Sequence, residues 1–204
     1  YVDCHTDFVN SARGWLSRNI LHKIIFRYCA KRIEKYAVKF YGTSPLRCEF
    51  LNKVYGIKKD KIDLLPFGAD DSLFNYVDKD NYREEILQKL KIPTKDFVFI
   101  TGGKIDKRKK IHILLKAFSD LVDEFFLTNF HLIVFGKPTE EMKHIISELS
   151  THQYIHYIEW IDSKDLFKYF FASDVAIFPG THSVLWEEAV GLGTPSVFYS
   201  WNGI

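Results

Sequence analysis

Residues 102–111, GlyGlyLysIleAspLysArgLysLysIle, place Gly102 and Gly103 directly after an apolar run and follow them with five cations in seven residues: Lys104, Lys107, Arg108, Lys109 and Lys110. Glycines allow a backbone to approach a ligand closely, and cations clustered at a helix entry suit a diphosphate. A solvated basic loop has the same composition, so both readings stand at this point. The GlyLysSer/Thr ending of a Walker A loop is absent. A second constellation is PheProGlyThrHisSerValLeuTrpGluGluAlaValGlyLeuGlyThrProSerVal, residues 178–197. Gly180, Thr181, His182 and Ser183 lead into a helical stretch, where backbone amides can hold phosphate. Glu187 and Glu188 follow. A carboxylate there suits two adjacent ribose hydroxyls, each donating to one oxygen; either glutamate could equally be an acid near a helix start. Asp3, His5 and Asp7 form a third group, on alternate residues that share one face of an extended strand. They are metal ligands by type, yet a lone histidine at a strand end is commonly structural, and the expectation is no metal.

The elements that position these residues follow from hydrophobic period. Short continuous apolar runs predict strands at 97–101, 131–135, 155–158, 175–178 and 196–199, with helices at 112–124, 140–149, 164–172 and 185–191 between them. Runs apolar on both faces belong to a parallel sheet covered on both sides, and their alternation with helices predicts a doubly wound α/β domain. Ligands bind beyond the carboxyl ends of such strands, which singles out the loops 102–110, 136–139, 160–163, 179–184 and 200–204. Upstream, strands are expected at 1–8, 41–43 and 61–65, a helix within 11–40 with Trp15, Leu16, Ile20, Ile24 and Tyr28 on one face, and a helix from Ser44-Pro45 to about Tyr55, stopped by Gly56. Residues 71–94 read as a connector with a helix at 82–90. The organisation expected is therefore residues 1–70 as the back of one domain and 71–204 as a linker plus a second.

Composition narrows the class. The 204 residues are 47% hydrophobic and 26% charged, an ordinary globular balance. Cys4, Cys29 and Cys48 are too few for a disulfide framework and form no CxxC pair, so reduced thiols are the default. No apolar run approaches the roughly 18–20 residues of a membrane span, and YVDCHTDF does not read as a signal peptide. A cytoplasmic protein is expected. The net charge of +2 conceals an asymmetry: residues 11–40 hold eight Lys/Arg against Glu34, a local +7, and the remaining 20 basic and 25 acidic residues net −5. A solvated helix face is one reading of that stretch. Docking on an anionic membrane surface is another, whereas nucleic acid is not expected because no recognised module accompanies it.

Five pieces in order resemble the C-terminal domain of the GT-B glycosyltransferases of the glycogen-synthase-like group, glycosyltransferase family four. LeuLeuProPheGlyAlaAsp with Phe74 (64–74) is similar to Ile-Pro-Asn-Gly-Val-Asp with its following Phe. GlyLysIle…LysLysIleHisIleLeuLeuLysAlaPhe (103–118) is similar to Gly-Arg-Leu…Lys-Gly-Val-Asp-x-Leu-Leu-x-Ala-Phe. HisLeuIleValPheGly (131–136), ending at Gly136, TyrIleGluTrpIleAsp…IlePhePro (157–179) and GluAla…Gly-x-Pro (188–195) complete the series. The resemblance implies two Rossmann-like domains, both incomplete here, because the chain opens inside a strand-like segment and closes in a loop. It implies transfer of a sugar from a nucleoside diphosphate to a glycan or lipid-linked acceptor in cell-surface polysaccharide biosynthesis. Retained configuration and no cofactor beyond the nucleotide-sugar substrate follow as expectations. Lys104 and Lys109 fall where the family's Arg and Lys hold the diphosphate, and Glu188 where its second glutamate binds ribose. His5 falls where a histidine reaches the donor sugar. Gly180 occupies the first glutamate's place, which makes His182 and Ser183 the residues expected to line that space. A non-catalytic relative that keeps the fold, or a GT-B epimerase, is the alternative.

Overall fold

Apolar runs bounded by glycine, proline and capping residues become parallel strands in a computed structural model of the chain, which describes residues 1–8, 11–12 and 14–200. Residue 13 of the basic stretch and residues 201–204 of the last loop lie outside the described residues. Two units separate, within residues 1–67 and 68–200.

In the first unit, β1 (Val2–Cys4), β2 (Phe40–Gly42) and β3 (Ile62–Leu64) pair in parallel in that order. The basic stretch winds as a π-helical segment, Ser17–Phe26, running into α1, Arg27–Glu34. The apolar residues expected to share one face lie on its exposed side. Trp15, Leu16, Ile20, Ile24 and Tyr28 are exposed, whereas His22, Ala30 and Glu34 are buried. Polar partners decide the orientation: His22 Nδ1 lies 2.9 Å from the Tyr55 hydroxyl, and Glu34 accepts the Lys58 amide at 2.9 Å. Helix α2, Pro45–Lys53, starts as its sequence predicts, with the Ser44 hydroxyl accepting the Arg47 amide. It closes with the Ile57 amide on the Leu51 carbonyl across Gly56, whose φ of +71° suits glycine. Phe40, Phe50, Leu51 and Ile57 fill the core.

The second unit opens with two 3₁₀ turns, Asp71–Leu73 and Tyr76–Asp78, capped by the Asp70 and Asn75 side chains. Helix α3, Lys79–Leu90, begins three residues before its predicted start. Five strands follow: β4 (Phe97–Gly102), β5 (Phe130–Phe135), β6 (Ile155–Ile158), β7 (Val175–Phe178) and β8 (Ser196–Phe198), all parallel in the order β6-β5-β4-β7-β8. Helices α4 (Ile111–Phe125), α5 (Glu140–Leu149), α6 (Leu166–Phe171) and α7 (Leu185–Gly191) connect them. The β5 run explains the double winding. Leu132 and Val134 join the core with Leu115 of α4 and Ile146 of α5. Ile133 and Phe135 join the opposite core with Leu87 of α3 and Phe170 of α6. A strand apolar on both faces is satisfied only between two helical layers. Arg83 ties α3 to the sheet by donating to the Ala172 carbonyl at 2.7 Å and to Asp174 at 3.2 Å. The strand order reverses between β4 and β7, so the crevice for a ligand opens at their carboxyl ends.

Candidate functional site

Two strand-end loops interlock at that crevice. Gly103 (φ +106°) and Gly136 (φ +121°) lie back to back, and a Cβ on Gly136 would sit 1.8 Å from the Gly103 carbonyl oxygen. Gly102 closes β4 against the Phe135 ring. Beyond it Ile105 is buried, its amide donating to the Lys137 carbonyl at 3.3 Å, so the basic loop is anchored at its middle. Asp106 shapes the rest, accepting the amides of Arg108 and Lys109 and the Arg108 guanidinium at 2.9 Å. Burial pushes the Asp106 carboxyl up, yet the Arg108 guanidinium and the two amides outweigh it and hold the group below its ordinary range.

The β7–α7 loop is stitched to this basic loop. The Thr181 amide donates to the Arg108 carbonyl at 3.2 Å. The Lys109 ammonium donates to the carbonyls of Thr181 at 2.8 Å and His182 at 2.6 Å. Gly180 makes this approach feasible, since a Cβ there would fall 2.3 Å from the Arg108 carbonyl oxygen. Its bare face therefore meets the Lys109 backbone. Burial lowers the Lys109 ammonium pKa, with Asp106 opposing and Arg108 reinforcing the shift. Lys104 is exposed and lines a cavity of about 300 Å³ with Gly103, Phe135, Gly136, Lys137 and Trp160.

Three polar groups on α7 lack partners among the described residues. Glu188 is half-buried, and burial raises its carboxyl pKa. Its side chain has no hydrogen bond or ion pair among the described residues. Glu187 presents Oε1 to His182 Nε2 at 2.7 Å, while its Oε2 and the Trp186 Nε1 are buried without partners. Of the loop amides between Gly180 and Ser183, that of Thr181 is committed, and those of Gly180, His182 and Ser183 have no acceptor among the described residues. Ser183 Oγ lies 3.8 Å from where a Gly103 Cβ would be, so the two loops share this space. Helix α7 has only seven residues, so it is the loop amides, rather than a long helix, that offer donors.

His5 lies in the first unit at the carboxyl end of β1, 2.6 Å from Asp3 Oδ2 and stacked on Phe67. Asp7 is buried, 3.5 Å from Arg47 Nε. Among the described residues no three His, Cys, Asp or Glu side chains are grouped to hold a metal. The sequence reading overlooked Trp160, which is 74% exposed beside the cavity. Its signal was a large aromatic two residues after β6, in a loop already singled out by topology.

These features agree with comparisons to known proteins. The mannosylfructose-phosphate synthase of Agrobacterium fabrum (strain C58 / ATCC 33970) is 25% identical over 185 residues, covering 85% of this chain and 38% of that protein. WaaG, a glycosyltransferase involved in lipopolysaccharide biosynthesis, superposes with a TM-score of 0.61 at 18% identity, over 91% of this chain and 51% of its own. Anabaena Alr3699/HepE, solved in complex with UDP and glucose, gives 0.62 at 15% identity, over 97% of this chain and 51% of its own. The chain thus spans about half the length of these structures and less of the synthase, and its two parallel α/β units have the GT-B fold. The family described as Glycosyl transferases group 1 matches residues 82–198, more than half of the sequence, and the chain belongs to that family.

Proposed function

We propose that this chain carries the donor-binding half of a glycosyltransferase that moves a sugar from a nucleoside diphosphate to a hydroxyl of a glycan or lipid-linked acceptor, with retained configuration, in cell-surface polysaccharide biosynthesis. The observation that carries the reading is the Lys109 ammonium bridging the basic loop to the Thr181 and His182 carbonyls at the strand-order switch point. Two of its three protons are used there, and the third remains for a phosphate oxygen. Lys104 and the amides of Gly180, His182 and Ser183 add donors to the same charge. Glu188, desolvated and partnerless, is the acceptor for ribose hydroxyls, and Trp160 offers its ring face to the base. That HepE was solved in complex with UDP and glucose supports a nucleotide-sugar ligand.

In the reaction the sugar C1–O bond to the diphosphate breaks, and its electron pair stays on the departing diphosphate. A new C1–O bond forms to the acceptor oxygen, whose proton passes to the departing phosphate. The chain's task is to stabilise the charge on the leaving group, where preorganised donors act most strongly. His5 keeps the role that the family resemblance gives it, toward the donor sugar. No cofactor is assigned beyond the nucleotide sugar. Residues 11–40 would rest on an anionic membrane face, because Trp15, Leu16, Ile24 and Tyr28 stand exposed among Lys23, Arg27, Lys31 and Arg32. No helix of the described residues is long and apolar enough to cross a membrane. A cytoplasmic location at the inner membrane face follows from that reading.

Lys109→Ala and Glu188→Ala in the full-length protein each reduce kcat/KM about 100-fold on this account; unchanged kinetics in both would refute it. The second reading, a non-catalytic nucleotide-sugar- or glycan-binding relative, draws on Gly180 at the first glutamate's position and Lys104 in place of arginine. Donor binding without any hydrolysis or transfer would select it.

A further inference from the structure

The pair formed by His182 and Glu187 is not explained by ribose binding or by the Lys109 tether. The His182 ring is constrained on several sides. Its Nε2 lies 2.7 Å from Glu187 Oε1, its ring makes a T-shaped pair with the Trp186 ring at 5.2 Å, and its own carbonyl takes the Lys109 ammonium at 2.6 Å. Trp186 is in turn stacked on Phe198 at 4.6 Å. Glu187 has no other side-chain hydrogen-bond partner among the described residues, and its second oxygen is buried. A carboxylate in that position can only accept, so Nε2 carries a proton. The remaining ring nitrogen, Nδ1, has no partner among the described residues, and the side chain is 21% exposed. Glu187 is the charged group paired with the ring, the Lys109 ammonium sits on the residue's backbone carbonyl, and Glu188 follows Glu187 on α7.

Resting on the donor-site reading above, we infer that Glu187 is a positioning residue that holds His182 so that its Nδ1 meets the diphosphate of the donor, adding a third side-chain contact beside Lys104 and Lys109. An imidazole with both nitrogens protonated donates from Nδ1 to a phosphate oxygen while Nε2 stays on Glu187. The ring whose Nε2–H is held by Glu187 takes up this second proton from solvent as the diphosphate binds. The carboxylate acts on the ring and does not touch the ligand, which would repel it.

The contact is to the diphosphate and not to the base or ribose, so it should separate diphosphates from monophosphates. Calorimetric titration of the full-length protein with UDP and UMP, ADP and AMP, and GDP and GMP provides the test. Whichever base binds, His182→Ala and Glu187→Ala should each weaken the diphosphate about tenfold and leave the monophosphate unchanged. Glu187→Gln keeps an acceptor for Nε2 and should retain most of the affinity, and His182→Asn, with an amide nitrogen near the Nδ1 position, part of it. Thermal unfolding of each variant confirms that it is folded. Equal losses for mono- and diphosphates, or none, would overturn the inference and leave the donor-site reading standing. Failure of the wild-type protein to bind any of the six nucleotides would overturn both.

Discussion

The two ends of the five-stranded sheet each hold a histidine against a carboxylate, and they treat it differently. At the amino end, Asp96 precedes β4, and His131 and His156 begin β5 and β6. His131 Nε2 lies 3.1 Å from Asp96 Oδ2, and its Nδ1 lies 2.9 Å from His156 Nε2. Asp96 and His131 are each 6% exposed, and both ring nitrogens of His131 are partnered. At the carboxyl end, among the described residues, Glu188 is desolvated without a partner, Glu187 has one buried oxygen unmatched, and His182 has one ring nitrogen unmatched. Buried polar groups normally find partners. The amino end obeys that rule and reads as architecture; the carboxyl end breaks it several times within one helix turn. Local departures from self-consistency of this kind mark functional sites.

Substitutions can break or sharpen the contrast. Asp96→Ala leaves a buried histidine pair without its acceptor and should cost about 3 kcal/mol in denaturant unfolding, with nucleotide affinity of the folded protein unchanged. Burial, reinforced by the neighbouring His131 ring, lowers the His156 pKa from 6.5 to about 4. The unfolded chain therefore binds the proton first. The stabilisation is complete above about pH 6.5, is lost as pH falls, and is gone below about pH 4. Allowing for partial exposure, the loss is about 2 kcal/mol, and unfolding curves from pH 7 to 4 should show a shallower acid limb in His156→Leu. Trp160→Ala should weaken nucleotide binding about tenfold at little change in unfolding temperature. The smallest effect is the most telling. Glu188→Gln removes a desolvated, unpaired charge, so its stability should lie within about 0.5 kcal/mol of the wild type or above it, while donor affinity falls.

Much of this was legible beforehand. Strands β4 to β7 and helices α5 and α7 fall where apolar runs and glycine or proline punctuation place them, because a strand covered on both faces has little freedom in its composition. Topology alone pointed to the loops at the carboxyl ends. The partners within them were not legible. Lys109 reaches carbonyls 72 and 73 residues away, and the bare face of Gly180 fits the Lys109 backbone, contacts that no local spacing records. The pairing of His182 with Glu187 was equally hidden, since both types also occur unpaired near helix starts. In the first unit, periodicity put Trp15, Leu16, Ile20, Ile24 and Tyr28 on one face but did not say which face turns inward, because hydropathy does not register that His22 and Glu34 find hydrogen-bond partners inside. Trp160 was visible as a residue but not as the wall of a cavity.

The central claim is that the carboxyl end of the sheet is held short of partners for a nucleoside diphosphate. Thermal unfolding of the full-length protein with and without UDP, ADP or GDP at millimolar concentration, in the wild type and in Glu188→Gln, tests it most directly. The account predicts that at least one of the three raises the unfolding temperature of the wild type by several degrees, and that Glu188→Gln, at least as stable alone, loses most of that rise. No rise in the wild type, or an equal rise in both proteins, would contradict it.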